Sequence, residues 1–139
     1  MRGSSRILLL FVLCALCLAG NGHICEKKGL YGVDSDGGFA RYAKVSLAAA
    51  HSLPEWASFE AGVLVEPLAV AVRAVRIGRL SFGETAVVIG GGPIGLAALL
   101  TAQFYSPSEL IVIDLDDNRL EVARKLGATQ GINSGDGKA

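Results

Sequence analysis

The sequence predicts an α/β fold built on part of a doubly wound parallel sheet, and three observations carry that expectation. Thr85 to Ile89 is short, β-branched and nearly all apolar, as expected of a parallel strand buried on both faces. Gly90-Gly91-Gly92-Pro93-Ile94-Gly95 follows at once and opens a helical stretch with small residues, Ala97 and Ala98, in its first turns. A second apolar run, Glu109 to Asp114, then ends in an acid 19 residues after Gly95.

The elements are taken in chain order. Asp34-Ser35-Asp36-Gly37-Gly38 reads as a turn. Phe39 to Val45 alternates in strand fashion, with Phe39, Ala43 and Val45 on one face and Ala40, Tyr42 and Lys44 on the other. Leu53-Pro54-Glu55 is a break, and Ser58 is an N-cap for the helix that follows. Glu66-Pro67 restarts the helix, with the proline in a first turn where its missing N–H costs little. That helix runs to about Ile77, places Leu68, Ala71, Val72 and Val75 on one face, and stops at Gly78.

After the first parallel strand, a helix from about Pro93 to Tyr105 is expected, then the Asp114 strand. A helix from Asp117 to Leu126 has Leu120, Ala123 and Leu126 as its core face and Gly127 as its cap. Gly131-Ile132-Asn133 starts a third strand.

The glycine turn has a chemical reading. Gly90 permits a sharp turn, Gly92 lets backbone approach a phosphate, and Gly95 lets helix and strand pack closely. Pro93 and Ile94 begin a helix whose amino-terminal amides and dipole favour a pyrophosphate. Asp114, near the expected spacing of about 20 residues, accepts hydrogen bonds from the adenosine ribose hydroxyls and repels a 2′-phosphate. The pattern therefore points to NAD rather than NADP on a Rossmann-type sheet. Arg119 has two readings: a cover for the adenine ribose, or a solvated helix residue.

Composition bounds the rest. With 139 residues there is room for about one domain. Thirteen basic residues balance thirteen acids, so no basic excess points to nucleic acid. Residues 1–19 carry two arginines and then an almost wholly apolar run from Ile7 to Ala19. They read either as a signal peptide, too short for a membrane span, or as a chance apolar start on a truncated reading frame. The first implies a secreted or membrane-associated protein. The second implies a cytoplasmic one with no membrane partner, and the later motifs favour it.

Several motifs in order resemble the zinc-containing medium-chain alcohol dehydrogenases. They are Gly37-Gly38-Phe39-Ala40-Arg41-Tyr42, Leu53-Pro54, Ser58-Phe59-Glu60, Leu64-Val65-Glu66-Pro67-Leu68-Ala69-Val70-Ala71 and Gly90 to Leu96. The Glu-Pro-Leu-Ala-Val segment looks most like the polyol branch of sorbitol, threonine and butanediol dehydrogenases. The resemblance covers roughly Cys14 to Asp136. It implies a partial Rossmann domain preceded by the carboxyl-terminal part of a GroES-like β domain. Residues 1–25 are then an apolar start and partial structural-zinc lobe, 26–65 the tail of the catalytic domain, and 66–139 the first half of the NAD-binding domain.

The family's structural-zinc lobe has four cysteines, spaced C-x2-C-x2-C-x7-C. Cys14, Cys17 and Cys25 match the last three, and Phe11 stands at the first. A closed zinc site takes four ligands, so this one is incomplete, and three reduced thiols without metal are the other reading. In polyol-type relatives the acid of Glu-Pro-Leu lies by the catalytic zinc. Glu66 is thus a candidate there, or simply an acid favoured at a helix amino-terminus. No counterpart exists for the family's upstream cysteine ligand or its Gly-His-Glu motif, and His51 reads as a surface histidine.

The resemblance implies NAD-dependent oxidation of a secondary alcohol or polyol, with zinc lowering the alcohol's pKa. It also implies an oligomer in the family. The chain itself is expected to be a fragment with little activity alone. A non-catalytic NAD-binding remnant and a small exported protein are the alternatives.

Overall fold

The computed structural model describes residues 3–5, 8–9, 19–25, 29–45 and 50–136. Cys14, Cys17 and residues 10–18 of the amino-terminal apolar run lie outside them. The chain forms two compact units, one ending at Val63 and the other starting at Leu64.

In the first unit, β1 (Gly3–Ser5) pairs antiparallel with β4 (Ala50–Ser52), and β2 (Leu8–Leu9) with β3 (Gly29–Leu30). Asp34 folds the turn after β3 by accepting the Leu30 N–H at 2.6 Å. Ser58 accepts from the Ala61 N–H at 3.2 Å and caps α1 (Phe59–Val63), as its position predicts. Gly62 is buried, and a Cβ there would strike Leu53.

The expected strand at Phe39–Val45 does not form. Residues 38–41 bend, 42–45 have no regular structure, and Phe39 and Tyr42 are exposed. Alternation prepares two faces, but a strand also needs a neighbour for its backbone groups. No strand pairs with this segment among the described residues.

The second unit opens with α2 (Val65–Gly78). Pro67 lies inside its first turn, as expected. Its buried face is narrower than predicted: Ala71 is buried and Val75 packs on the core, but Leu68 and Val72 are 42% and 39% exposed. Gly78 is the last helical residue, and the left-handed cap falls on Arg79 at φ +54° instead.

Then come β5 (Thr85–Ile89), α3 (Pro93–Gln103), β6 (Glu109–Asp114), α4 (Asp117–Lys125) and β7 (Gln130–Asn133). The strands form a parallel sheet in the order β5-β6-β7. Gly127, at φ +104°, ends α4 as its position predicts. Thr129 ties the chain entering β7 to β6, accepting the Leu110 N–H at 2.9 Å while its own N–H donates to the Leu110 carbonyl at 2.8 Å.

One core holds this unit. Leu99 and Ala102 of α3 and Leu120 and Ala123 of α4 meet Leu110 and Val112 of β6. Ala86 and Val88 of β5 join from the same side. The expectation that β5 is buried on both faces is therefore half right. Val87 and Ile89 point the other way, and Ile89 is 85% exposed. Strand residues alternate between faces, and the core formed with α3 and α4 takes only the even-numbered ones.

Candidate dinucleotide site

The site stands where the carboxyl ends of β5 and β6 meet the start of α3. Gly90 leaves β5 at φ +100°, a left-handed conformation that a Cβ disfavours, and its N–H donates to the Ile113 carbonyl at 2.7 Å. Gly95 sits on the first turn of α3, where a Cβ would drive into the Gly90 carbonyl. Gly90 is thus required by its backbone conformation and Gly95 by close approach, in the roles their spacing predicts.

At Gly92 the surroundings are open: a Cβ there would meet nothing within 4 Å. Gly92 is the N-cap, Pro93 the first helical residue, and the first helical bond runs from the Leu96 N–H to the Gly92 carbonyl at 2.8 Å. The first amides of a helix have no partner within it, so α3 presents donors and a positive dipole end beside free space. Ile94 is half-exposed at the same helix start.

Asp114 closes β6. Its Oδ2 accepts the Gly91 N–H at 2.6 Å and its Oδ1 accepts the Asp116 N–H at 2.9 Å. Its side chain is only 8% exposed. The Gly91 N–H is the main cause that holds the carboxyl below its ordinary value of 3.8; the Asp116 and Leu115 amides and Arg119 add to it, and burial opposes them. The acid is therefore charged and aimed before any ligand arrives.

Arg119 lies beside it, with Nη1 3.7 Å from Asp114 Oδ2 and Nε 3.9 Å from Asp116 Oδ2. The guanidinium is 56% exposed, so these contacts orient it more than they stabilise the fold. Its stem packs over the glycine turn: a Cβ on Gly91 would come within 3.2 Å of Arg119 Cβ. The structure thus brings Gly90, Gly92, Pro93, Ile94, Gly95, Asp114 and Arg119 together.

Two participants lie outside the predicted set of site residues. The Gly91 N–H leaves no sequence signal. Asp116 does: it is an acid just before a helical run, and its Oδ1 accepts the Asn118 N–H at 2.8 Å as the cap of α4.

Of the metal candidates, Cys14 and Cys17 lie outside the described residues. Among the described residues, no group of three or more His, Cys, Asp and Glu stands close enough to hold a metal ion. Glu66 is exposed in the first turn of α2, and Cys25 is buried in the other unit. Glu66 and Cys25 by themselves do not complete a zinc site, which takes four ligands when closed.

No family model matches the chain. It is 39% identical over 120 residues to the D-xylulose reductase of Saccharomyces cerevisiae, covering 79% of this chain and 34% of that protein. It is 35% identical over 121 residues to the sorbitol dehydrogenase of Bacillus subtilis, covering 86% and 34%. Among solved structures, a short chain alcohol dehydrogenase from Escherichia coli CFT073, complexed with NADH, superposes with a TM-score of 0.88 at 32% identity. That match covers 93% of this chain and 39% of the other. A Sinorhizobium meliloti 1021 protein bound to NADP gives 0.93 at 27% identity, covering 99% and 40%.

The chain belongs to the zinc-containing medium-chain alcohol dehydrogenase family. Its curated relatives include D-xylulose reductase, sorbitol dehydrogenase and L-threonine 3-dehydrogenase, and its parallel sheet is the Rossmann type of these dehydrogenases. The chain spans about a third of the length of the relatives it matches. No helix among its described residues is long and apolar enough to cross a membrane.

Proposed function

We propose that this chain holds the adenosine and pyrophosphate part of NAD, in the service of an oxidoreductase reaction that removes a hydride from a secondary alcohol or polyol. The observation that carries the reading is Asp114, pinned by the Gly91 N–H at the mouth of an open helix start. In this reading the amides after Gly92 receive the pyrophosphate, with Pro93 and Ile94 shaping the approach. Asp114 accepts from the two ribose hydroxyls, and Arg119 covers that ribose.

NAD, when bound, supplies the hydride acceptor. The chain's own residues bind and orient its adenosine half, which is the part of catalysis that comes from fixed geometry. A ribose 2′-phosphate would meet the charged Asp114 carboxylate, which supports NAD over NADP. The residues described here assemble no metal site, so Glu66 and the Cys14, Cys17 and Cys25 set stay proposals for the zinc of the family. A cytoplasmic location, where nicotinamide cofactors turn over, and an oligomeric state go with the reading.

Calorimetric titration of the chain with NAD, ADP-ribose and NADP tests the proposal. NAD and ADP-ribose should saturate one site, and NADP should bind at least about tenfold more weakly, a difference of about 1.4 kcal/mol. No saturable binding of any of the three would remove the reading. Assay with NAD, zinc and a panel of polyols should give little turnover; rapid zinc-dependent turnover would overturn the expectation that the chain alone is inactive.

A further inference from the structure

Asn133 ends β7, and the parallel register sets it opposite Asp114. Its side-chain amide reaches two ways. Nδ2 donates to Asp117 Oδ1 at 2.9 Å, and Oδ1 accepts the Gly135 N–H at 2.8 Å. The amide's orientation follows from these partners, since only an N–H can face the Asp117 carboxylate. Asp117 is the first residue of α4. One side chain therefore joins the end of the third strand to the first turn of the helix that carries Arg119.

That turn needs a tie. Asp117, Asn118 and Arg119 are all exposed, and Leu120 is the first residue of α4 to be buried. The apolar core thus begins beyond Arg119. Upstream of it, polar bonds hold the segment: the Asp116 N–H to Asp114, the Asp116 cap on Asn118, and the Asn133 amide on Asp117. The first two bonds lie within five residues of one another along the chain. Of the three, only the Asn133 bond anchors the turn to a different strand.

We infer that Asn133 is a positioning residue for the adenosine-ribose end of the site. It need not touch the nucleotide; it holds the start of α4 so that Arg119 stays between Asp114 and Asp116. The inference rests on the dinucleotide reading above and adds to it the residue that sets the rigidity, and hence the selectivity, of the ribose-binding rim.

The test uses the whole chain at a temperature where it is fully folded. Asn133→Ala should raise the Kd for NAD and for ADP-ribose roughly three- to tenfold, the range expected for one lost hydrogen bond beside a charged group. The preference for NAD over NADP should shrink by a similar factor, because the acids no longer face the ribose from fixed positions. Asn133→Asp sets a carboxylate against Asp117 and should weaken binding further. The exchanged pair Asn133→Asp with Asp117→Asn restores a donor facing an acceptor and should recover most of the affinity. A lowered thermal midpoint with an unchanged NAD to NADP ratio, or an exchanged pair that recovers nothing, would overturn the inference. A measurement without nucleotide keeps the two readings apart. Amide exchange at Asn118 should speed up at least about threefold in Asn133→Ala while the buried Val112 does not change; equal protection at Asn118 would overturn the inference whether or not the chain binds NAD.

Discussion

The stretch from Thr85 to Asn133 and the stretch from Asp34 to Val45 carry comparable sequence signals, yet only the first becomes a sheet. Both have glycine turns, acids at loop positions and alternating or β-branched runs. In the first, every strand finds its neighbour within about thirty residues: β5 pairs with β6 and β6 with β7. In the second, Phe39 to Val45 has no paired strand among the described residues, and its aromatic rings lie in solvent. A local pattern becomes structure when the groups that satisfy its backbone and cover its apolar face lie close along the chain.

Substitutions matched across the two stretches test that difference, and the largest effect should come from the core. Leu99→Ala removes a fully buried side chain from between two helices and β6. It should cost about 3 kcal/mol in a denaturant titration, while Tyr42→Ala, at an exposed ring, should cost less than about 0.5. Equal effects would mean that the 34–45 stretch is packed after all.

Next in size is Gly95→Ala, which pushes a methyl group into the Gly90 carbonyl, a backbone atom that cannot swing aside. It should destabilise the Rossmann unit by roughly 2 kcal/mol and abolish NAD binding. Gly38→Ala is the control: the nearest atom, Tyr31 Cε1, lies 3.9 Å from the new Cβ, so its cost should stay under about 0.5 kcal/mol.

Asp114→Asn keeps an oxygen for the Gly91 N–H but removes the charge. NAD affinity should fall about tenfold and the discrimination against NADP should narrow, both read by calorimetry. An unchanged NAD to NADP ratio would mean that selectivity lies elsewhere.

The smallest effect is on pH dependence. The folded carboxyl of Asp114 titrates below its ordinary value of 3.8. Its stabilising contribution is therefore complete above about pH 4 and is lost as pH falls through the folded value. Amide exchange at Gly91 should accelerate below pH 4, ahead of Val112. Simultaneous loss at both would show global unfolding rather than release of this one acid.

Much of the Rossmann unit was legible beforehand because its signals are local. Turn glycines, caps and strand runs placed α3, β6, α4 and β7 to within a few residues, and Gly90, Gly92, Gly95, Asp114 and Arg119 do converge. Three features were not legible. The burial of β5 on one face only depends on which side α3 and α4 occupy. The narrow buried face of α2 depends on what packs against it: Ala71 and Val75 meet the core, while Leu68 does not. The bond from Asn133 to Asp117 joins residues 16 apart that share no pattern.

By itself the sequence pointed to the proposed ligand class, since the glycine turn and its acid answer steric and charge requirements that act over a few residues. It determined the family for the same reason, through several short motifs in a set order. The tertiary structure alone decided how that acid is held, which face of β5 is covered, and that Phe39 to Val45 stays irregular. Those outcomes depend on which backbone amides, helices and strands arrive from elsewhere in the chain, and hydrogen bonding and burial act only between groups that the fold has brought into contact.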